Sequence, residues 1–194
     1  MIRLSRIPFL RRLTRFGRDQ RGIAAMEFAI IAPVLTLALL GGTELSRYTL
    51  MHQKLDRVSA SVSNMVAQST TMKTVDFQNM WAAAKEIAKP FDLSTSNSKV
   101  IVSHIVAETD TNYRIVWQRT GAGTLGQTSK LGAEGNLATM PAGVTMKQGD
   151  TLVAVEVYGT YSAFVFPDLV DQELVYKRSF DTPRLVDVIT LDES

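Results

Sequence analysis

Residues 23–42 form an apolar run of 20 residues in which Glu27 is the only charge. A helix needs about 20 such residues to cross the hydrocarbon of a bilayer, so the run limits the chain to folds that carry one spanning helix. An ionisable side chain inside a span costs on the order of several kcal/mol, which makes Glu27 a functional candidate by default. The question is what the acid does there.

Charge placement orients the segment. The chain as a whole carries a net charge of +2, but residues 1–22 hold seven arginines (3, 6, 11, 12, 15, 18 and 21) against Asp19. Beyond Gly22 there remain 14 basic and 18 acidic residues, a net of −4, so the remainder is not a basic nucleic-acid binder. With all seven arginines on one side, the positive-inside bias predicts a cytoplasmic N-terminus and a C-terminal region outside. The chain has no cysteine, which excludes disulfides, thiol catalysis and thiolate metal sites and leaves the compartment open.

Three readings fit the run. A secretory signal would end in small residues at a cleavage site, and "LGGTEL" is a fair match, but the run exceeds the usual 7 to 15 residues. A plain signal anchor accounts for charge bias and length and gives Glu27 no reason. In the third reading the chain is cut after Gly22, leaving Ile23 as the new N-terminus and Glu27 as its fifth residue.

The stretch "RRLTRFGRDQRGIAAMEFAIIAPVL" resembles the start of TadE-like proteins, minor pseudopilins of the Tad (tight adherence, type IVb) pilus system. Gly22, Glu27, Phe28 and Pro33 occupy the places of the family's leader glycine, Glu-Phe pair and helix proline. Leu40, Gly41, Glu44 and Arg47 are similar to its Leu-Gly-x-x-Glu-x-x-Arg continuation. Close similarity covers about residues 15–70, and beyond them the likeness is architectural. The resemblance implies that a prepilin peptidase cuts between Gly22 and Ile23 on the cytoplasmic side of the bacterial inner membrane. It also implies packing of the helix against other Tad pilins and the inner-membrane assembly platform. A carboxylate is tolerated in low dielectric when it finds a partner. The freed α-amino group of Ile23, on this or a neighbouring subunit, is one. Pro33 removes a backbone donor and crowds the preceding turn, which predicts a helix kink.

Leu45, Tyr48, Met51, Leu55, Val58, Val62 and Met65 recur three or four residues apart, the period of an amphipathic helix. No proline lies between 34 and 89, so one helix is expected from about residue 23 to 68, its outer half packing a stripe on the C-terminal domain. "STTMKT" interrupts it, and Thr74 is placed to cap a second helix that stops before Pro90, with Phe77, Met80, Trp81, Ala84 and Ile87 on one face. From Lys99 the chain turns to β-branched runs. Tyr113, Ile115 and Trp117, and Val153, Val155 and Val157, alternate as in strands with one buried face. The short polar "ETDTN" predicts an antiparallel hairpin, and residues 121–150, rich in Gly, Thr and Ala, read as a long loop.

The expected product is α+β and pilin-like: a long N-terminal transmembrane and amphipathic helix, a second helix and a small antiparallel sheet of about four strands. Its parts are a basic cytoplasmic leader (1–22), a transmembrane helix (23–42), an amphipathic extension (43–68) and a periplasmic α+β domain (69–194).

Other chemistry finds little support. "GAGTLG", residues 121–126, matches the dinucleotide fingerprint in letters only, because "QTSKLGAEGN" after it is no helix. His52 and His104 lie in different elements without metal-pair spacing. "YKRSFDTPR" reads as a solvated strand end. No nucleophile with a base appears, so no enzyme, cofactor or metal is expected. The function predicted is pilus assembly: a non-enzymatic pseudopilin that nucleates, primes or caps a surface pilus, within the fibre or at its tip. The alternative is an unprocessed, signal-anchored periplasmic binding or sensor domain whose loop 121–150 meets a ligand.

Overall fold

The computed structural model describes residues 21–165, 167 and 172–192; the arginine-rich leader before Arg21 lies outside them. The described elements are α1 (Arg21–Ala67), β1 (Thr71–Lys73), α2 (Thr74–Ala88), β2 (Ser98–Ala107), β3 (Tyr113–Gly121), β4 (Thr151–Tyr161), β5 (Glu173–Asp181) and β6 (Thr190–Asp192). Two helices, the first long and apolar, precede a four-stranded antiparallel sheet of order β3-β2-β4-β5, and the fold is α+β. A parallel β1–β6 pair, absent from the sequence expectation, joins the end of the described chain to the α1–α2 connection. The chain divides into two units between Leu45 and Ser46.

In the second unit α1 buries Met51, Leu55, Val58, Val62 and Val66, spaced four, three, four and four apart. The expected stripe needs correction at its C-terminal end. Met65 is 37% exposed, while Val66 is fully buried. One residue is about 100° of helix, enough to carry Met65 off the face that Val62 and Val66 share. The helix sits so close to β4 that a Cβ at Gly159 would lie 2.8 Å from Met51 Cε and 3.0 Å from Leu55 Cδ1.

The second helix buries Phe77, Met80, Ala84 and Ala88, with Trp81 and Ile87 half-buried beside them, and stops before a cis Lys89–Pro90 bond. Thr74 opens this helix rather than capping it. Lys73 is the N-cap, and its backbone N–H donates to the Asp76 carboxylate at 2.9 Å. An acid at the third helical position accepts an otherwise orphaned donor and suits the positive end of the helix dipole.

The sheet is covered on both faces, which corrects the one-face expectation. Val100, Val102, Val153, Val155 and Val157 meet the helices. On the opposite face Ile105, Ala107, Leu152 and Ala154 meet Leu131 and Met146 from the long loop. Burial on both sides explains why β2 and β4 read as almost continuous apolar runs.

β2 and β3 form the expected antiparallel pair, with one irregularity. His104 pairs with Trp117 and Ile105 with Ile115, which leaves Val116 as an extra residue. A bulge of one residue turns the following side chains over. Tyr113 and Ile115 therefore lie in the loop-side core and Trp117 in the helix-side core. At the far end of β3, Gly123 adopts φ +116°, and a Cβ there would meet the Ser98 carbonyl oxygen at 2.2 Å, so the turn into the loop requires glycine.

Candidate functional site

The N-terminal part of α1 has the composition of a helix in contact with lipid or other helices. Met26, Phe28, Ile30, Val34, Leu35, Leu37 and Leu39 are all largely exposed around its circumference. A helix segment apolar on all sides has the composition of one that lies in a membrane or a bundle. By length and composition the helix from Gly22 to Ala67 is able to cross a membrane. Its hydroxyls are already satisfied: Thr36 donates to the Ala32 carbonyl at 2.8 Å, and Thr43 to Leu39 at 2.6 Å. Such back-bonding keeps a hydroxyl compatible with hydrocarbon, where no water is available.

Gly22 and Ile23 lie in the first described turn, both exposed. Glu27 and Phe28 follow on the same helix, and Pro33 lies within it without ending it. Glu27 is exposed, and among the described residues no side-chain partner reaches its carboxylate. Its neighbours on the helix surface, Met26, Phe28, Ile30 and Ile31, are apolar and exposed as well.

The second unit holds a buried acid that the sequence reading missed. Glu156, on the loop side of β4, is inaccessible to solvent. Ser129 donates its hydroxyl to Glu156 Oε2, and the Lys130 N–H and the Tyr176 hydroxyl donate to Oε1 at 2.9 Å each. Tyr158 donates to the Thr128 carbonyl at 2.9 Å, and Lys130 Nζ sits 4.0 Å over the Tyr176 ring. Burial first, and the Glu156 charge second, push both tyrosines well above the usual phenol range. Three consecutive loop residues, 128 to 130, are thereby pinned to β4 and β5. The signal was present in "VAVEVYG", a lone acid in an apolar run, as at Glu27.

His104 is the other buried polar group of note. The Ile189 N–H donates to its Nε2 at 3.3 Å, and Trp117, stacked on it at 5.5 Å, donates its indole N–H to the Ile189 carbonyl at 2.9 Å. Because Nε2 accepts, the neutral ring carries its proton on Nδ1. Burial lowers the His104 pKa to about 4, opposed by the backbone of Leu152, without a hydrogen bond of good geometry at Nδ1. The neutral form is preferred in the folded state, so its stabilisation is complete above about pH 6.5 and is lost as the pH falls toward 4. Unfolding free energy should drop by up to about 3 kcal/mol over that window. Denaturant titrations at several pH values check this, and His104→Gln should flatten the dependence.

His52 lies against Tyr48 with ring centres 4.5 Å apart and planes tilted by 54°, whereas His104 packs on Trp117. Among the described residues no cluster of three metal-ligating side chains occurs. No helix follows residues 121–126. A cleft of about 380 Å³ lies between Phe77, Trp81, Arg119 and Asp192, but Arg119 is bonded to Glu134 at 3.1 Å and Asp192 to Lys73 at 3.4 Å. Both of its charged groups are thus engaged in ion pairs within the chain.

No curated protein and no solved structure matches this chain. Residues 22–63 match the family described as TadE-like protein.

Proposed function

From the TadE-like segment of this chain, which ties it to Tad pilus systems, we propose that the protein is a minor pseudopilin that serves pilus assembly through its N-terminal helix. The helix from Gly22 to Ala67, long and apolar enough to cross a membrane, is its anchor in this reading. In this reading a prepilin peptidase removes the leader between Gly22 and Ile23, and the N-terminus faces the cytoplasm while the α+β unit lies in the periplasm. Other Tad pilins and the inner-membrane platform pack against the exposed face that carries Glu27 and Phe28, and Pro33 adjusts the helix path where they meet.

The observation that carries the reading is the placement of Glu27: an acid outward on an apolar helix surface, five residues past a glycine at which the family match also begins. An unpaired carboxylate in hydrocarbon is strongly disfavoured, so a helix that keeps one is built to meet a cation. The α-amino group released at Ile23 is a cation of suitable reach on a neighbouring subunit. Residues 121–150, which the binding-domain alternative assigned to a ligand, contribute Leu131 and Met146 to the core and clamp Glu156. That role favours the assembly reading.

Intact-mass and N-terminal analysis of the membrane fraction tests it, with and without the peptidase. The expected mature chain begins at Ile23 only when the peptidase is present. A chain that still carries residues 1–22 in cells competent for Tad assembly defeats the processing proposal.

A further inference from the structure

The two edges of the four-stranded sheet differ. Along β3 the outer edge is closed by the long loop. The Ile115 N–H donates to the Asn136 carbonyl at 3.0 Å, the Gly135 and Ala138 N–H groups donate to the Ile115 and Tyr113 carbonyls, and the Gln118 N–H donates to the Glu134 carboxylate at 3.0 Å. β5 is paired with β4 on one side, and among the described residues no backbone hydrogen bond reaches its other side. At nine residues it exceeds the usual strand of about five or six. An open edge of that length is a template for another strand.

The side chains along this edge select the strand. Tyr176, Arg178 and Phe180 share the loop-side face, where Tyr176 bonds Glu156 and Phe180 packs on the loop-side core. Lys130 Nζ lies 4.0 Å over the Tyr176 ring, the Arg178 guanidinium carbon lies 5.8 Å from the centre of the Phe180 ring, and both cations are exposed. Neither forms an ion pair with a described carboxylate, whereas Lys177, on the helix side, is bonded to Asp56 at 3.1 Å. A ring face attracts a cation but accepts none of the hydrogen bonds around the rim of a guanidinium, which a carboxylate accepts in pairs. The result is a stripe of two cations, steadied by rings and open to an anion, in a chain whose charge after Gly22 is net negative.

The same strand discourages its own copy. In the antiparallel pairing of β5 with itself that overlaps the whole strand, Lys177 stands opposite Lys177 and Glu173 opposite Asp181. Like charges directly opposite are destabilising. The occupant is therefore a strand of different sequence, acidic where β5 is basic.

We propose that β5 is a docking edge for an extended acidic segment of a partner protein, which adds a strand to the sheet and sets carboxylates against Lys130 and Arg178. Main-chain bonds to the edge supply affinity, and side chains at alternate positions supply selectivity. Successive residues on one face of a strand are about 6.8 Å apart, so acids at every second position of the segment match the stripe. The edge belongs to the folded unit, so its docking role stands whether or not the leader is cut.

Fluorescent peptides of the length of β5 test this against the full chain in detergent: one of alternating Asp and Val, one with Lys in place of Asp, and the Asp peptide with every backbone N–H methylated. Anisotropy should show binding of the Asp peptide and none of the other two at the same concentrations, and hydrogen exchange should show added protection of the β5 amides. Arg178→Glu should weaken binding about fivefold or more, as an attraction becomes a repulsion. Lys130→Gln should weaken it less, and Lys147→Glu, at an exposed cation of the long loop, should leave it unchanged. Far-UV circular dichroism reports whether each variant is folded, and Arg178→Gln replaces the glutamate variant if that one is not. Failure of the Asp peptide to bind overturns the proposal. Binding of the methylated peptide, or of heparin, as tight as that of the Asp peptide overturns it as well, because the stripe then reads charge alone and no strand is added.

Discussion

Glu27→Ala should reduce surface piliation by more than tenfold while leaving the chain inserted in the membrane. Insertion depends on the apolar run, and removing a charge from it makes insertion easier. Assembly loses an attraction. Two unit charges about 4 Å apart in an effective dielectric near 20 interact by about 4 kcal/mol, and every tenfold in an equilibrium requires about 1.4 kcal/mol. Glu27 is exposed, and no hydrogen bond or ion pair joins its side chain to another described residue, so its loss strands no partner among them. The effect should therefore appear in sheared fibre yield and not in the amount of protein in the membrane fraction. Glu27→Gln separates charge from shape, and should resemble alanine if pairing with an amine is the role. Normal piliation in either variant removes that role.

Glu156→Ala should be the most damaging single change in the folded unit, lowering its stability by about 3 to 5 kcal/mol. The substitution leaves the Lys130 N–H, the Ser129 hydroxyl and the Tyr176 hydroxyl turned toward an empty, buried space. Hydrogen bonds to a charged acceptor are each worth about 1.5 to 3 kcal/mol, and breaking a buried charged cluster from one side falls in the range given. Denaturant unfolding of the full chain in detergent, followed by far-UV circular dichroism, measures the loss. Hydrogen exchange should show the damage centred on residues 128–131, since these are the loop residues the carboxylate holds. Glu156→Gln keeps the shape and part of the bonding and should lose less. If alanine is tolerated with unchanged exchange in the loop, the pinning role is wrong.

The two acids also mark how far the chain was readable. Glu27 stood out because its surroundings are a 20-residue apolar run with a glycine and arginines before it, all local features. Glu156 is the same kind of anomaly in a shorter run, but its meaning depends on Ser129, Lys130 and Tyr176, which are 20 to 27 residues away. Nothing in the spacing of those residues announces that they converge. His104 is similar: its partner Ile189 is 85 residues distant, and only the return of the chain to pair β6 with β1 brings them together. The strand periodicity of β3 failed at one residue for a different reason. Alternation is a property of a regular pleat, and the extra Val116 breaks the pleat without changing the composition.

What the amino-acid order determined alone is whatever depends on neighbours within a few turns: a long apolar helix with an acid near its start, a second helix ended before Pro90, and a run of strands of which the first two pair as a hairpin. These rest on helical period, proline geometry and β-branched texture, which act over fewer than about 20 residues. What the tertiary structure decided is how separate segments share space. It made the long loop the cover of a second sheet face, moved Trp117 to the helix side, chose Val66 over Met65 for the core, and enclosed Glu156 and His104. Burial and hydrogen bonding between distant segments follow from packing of the whole chain, and no local pattern encodes which segments will meet.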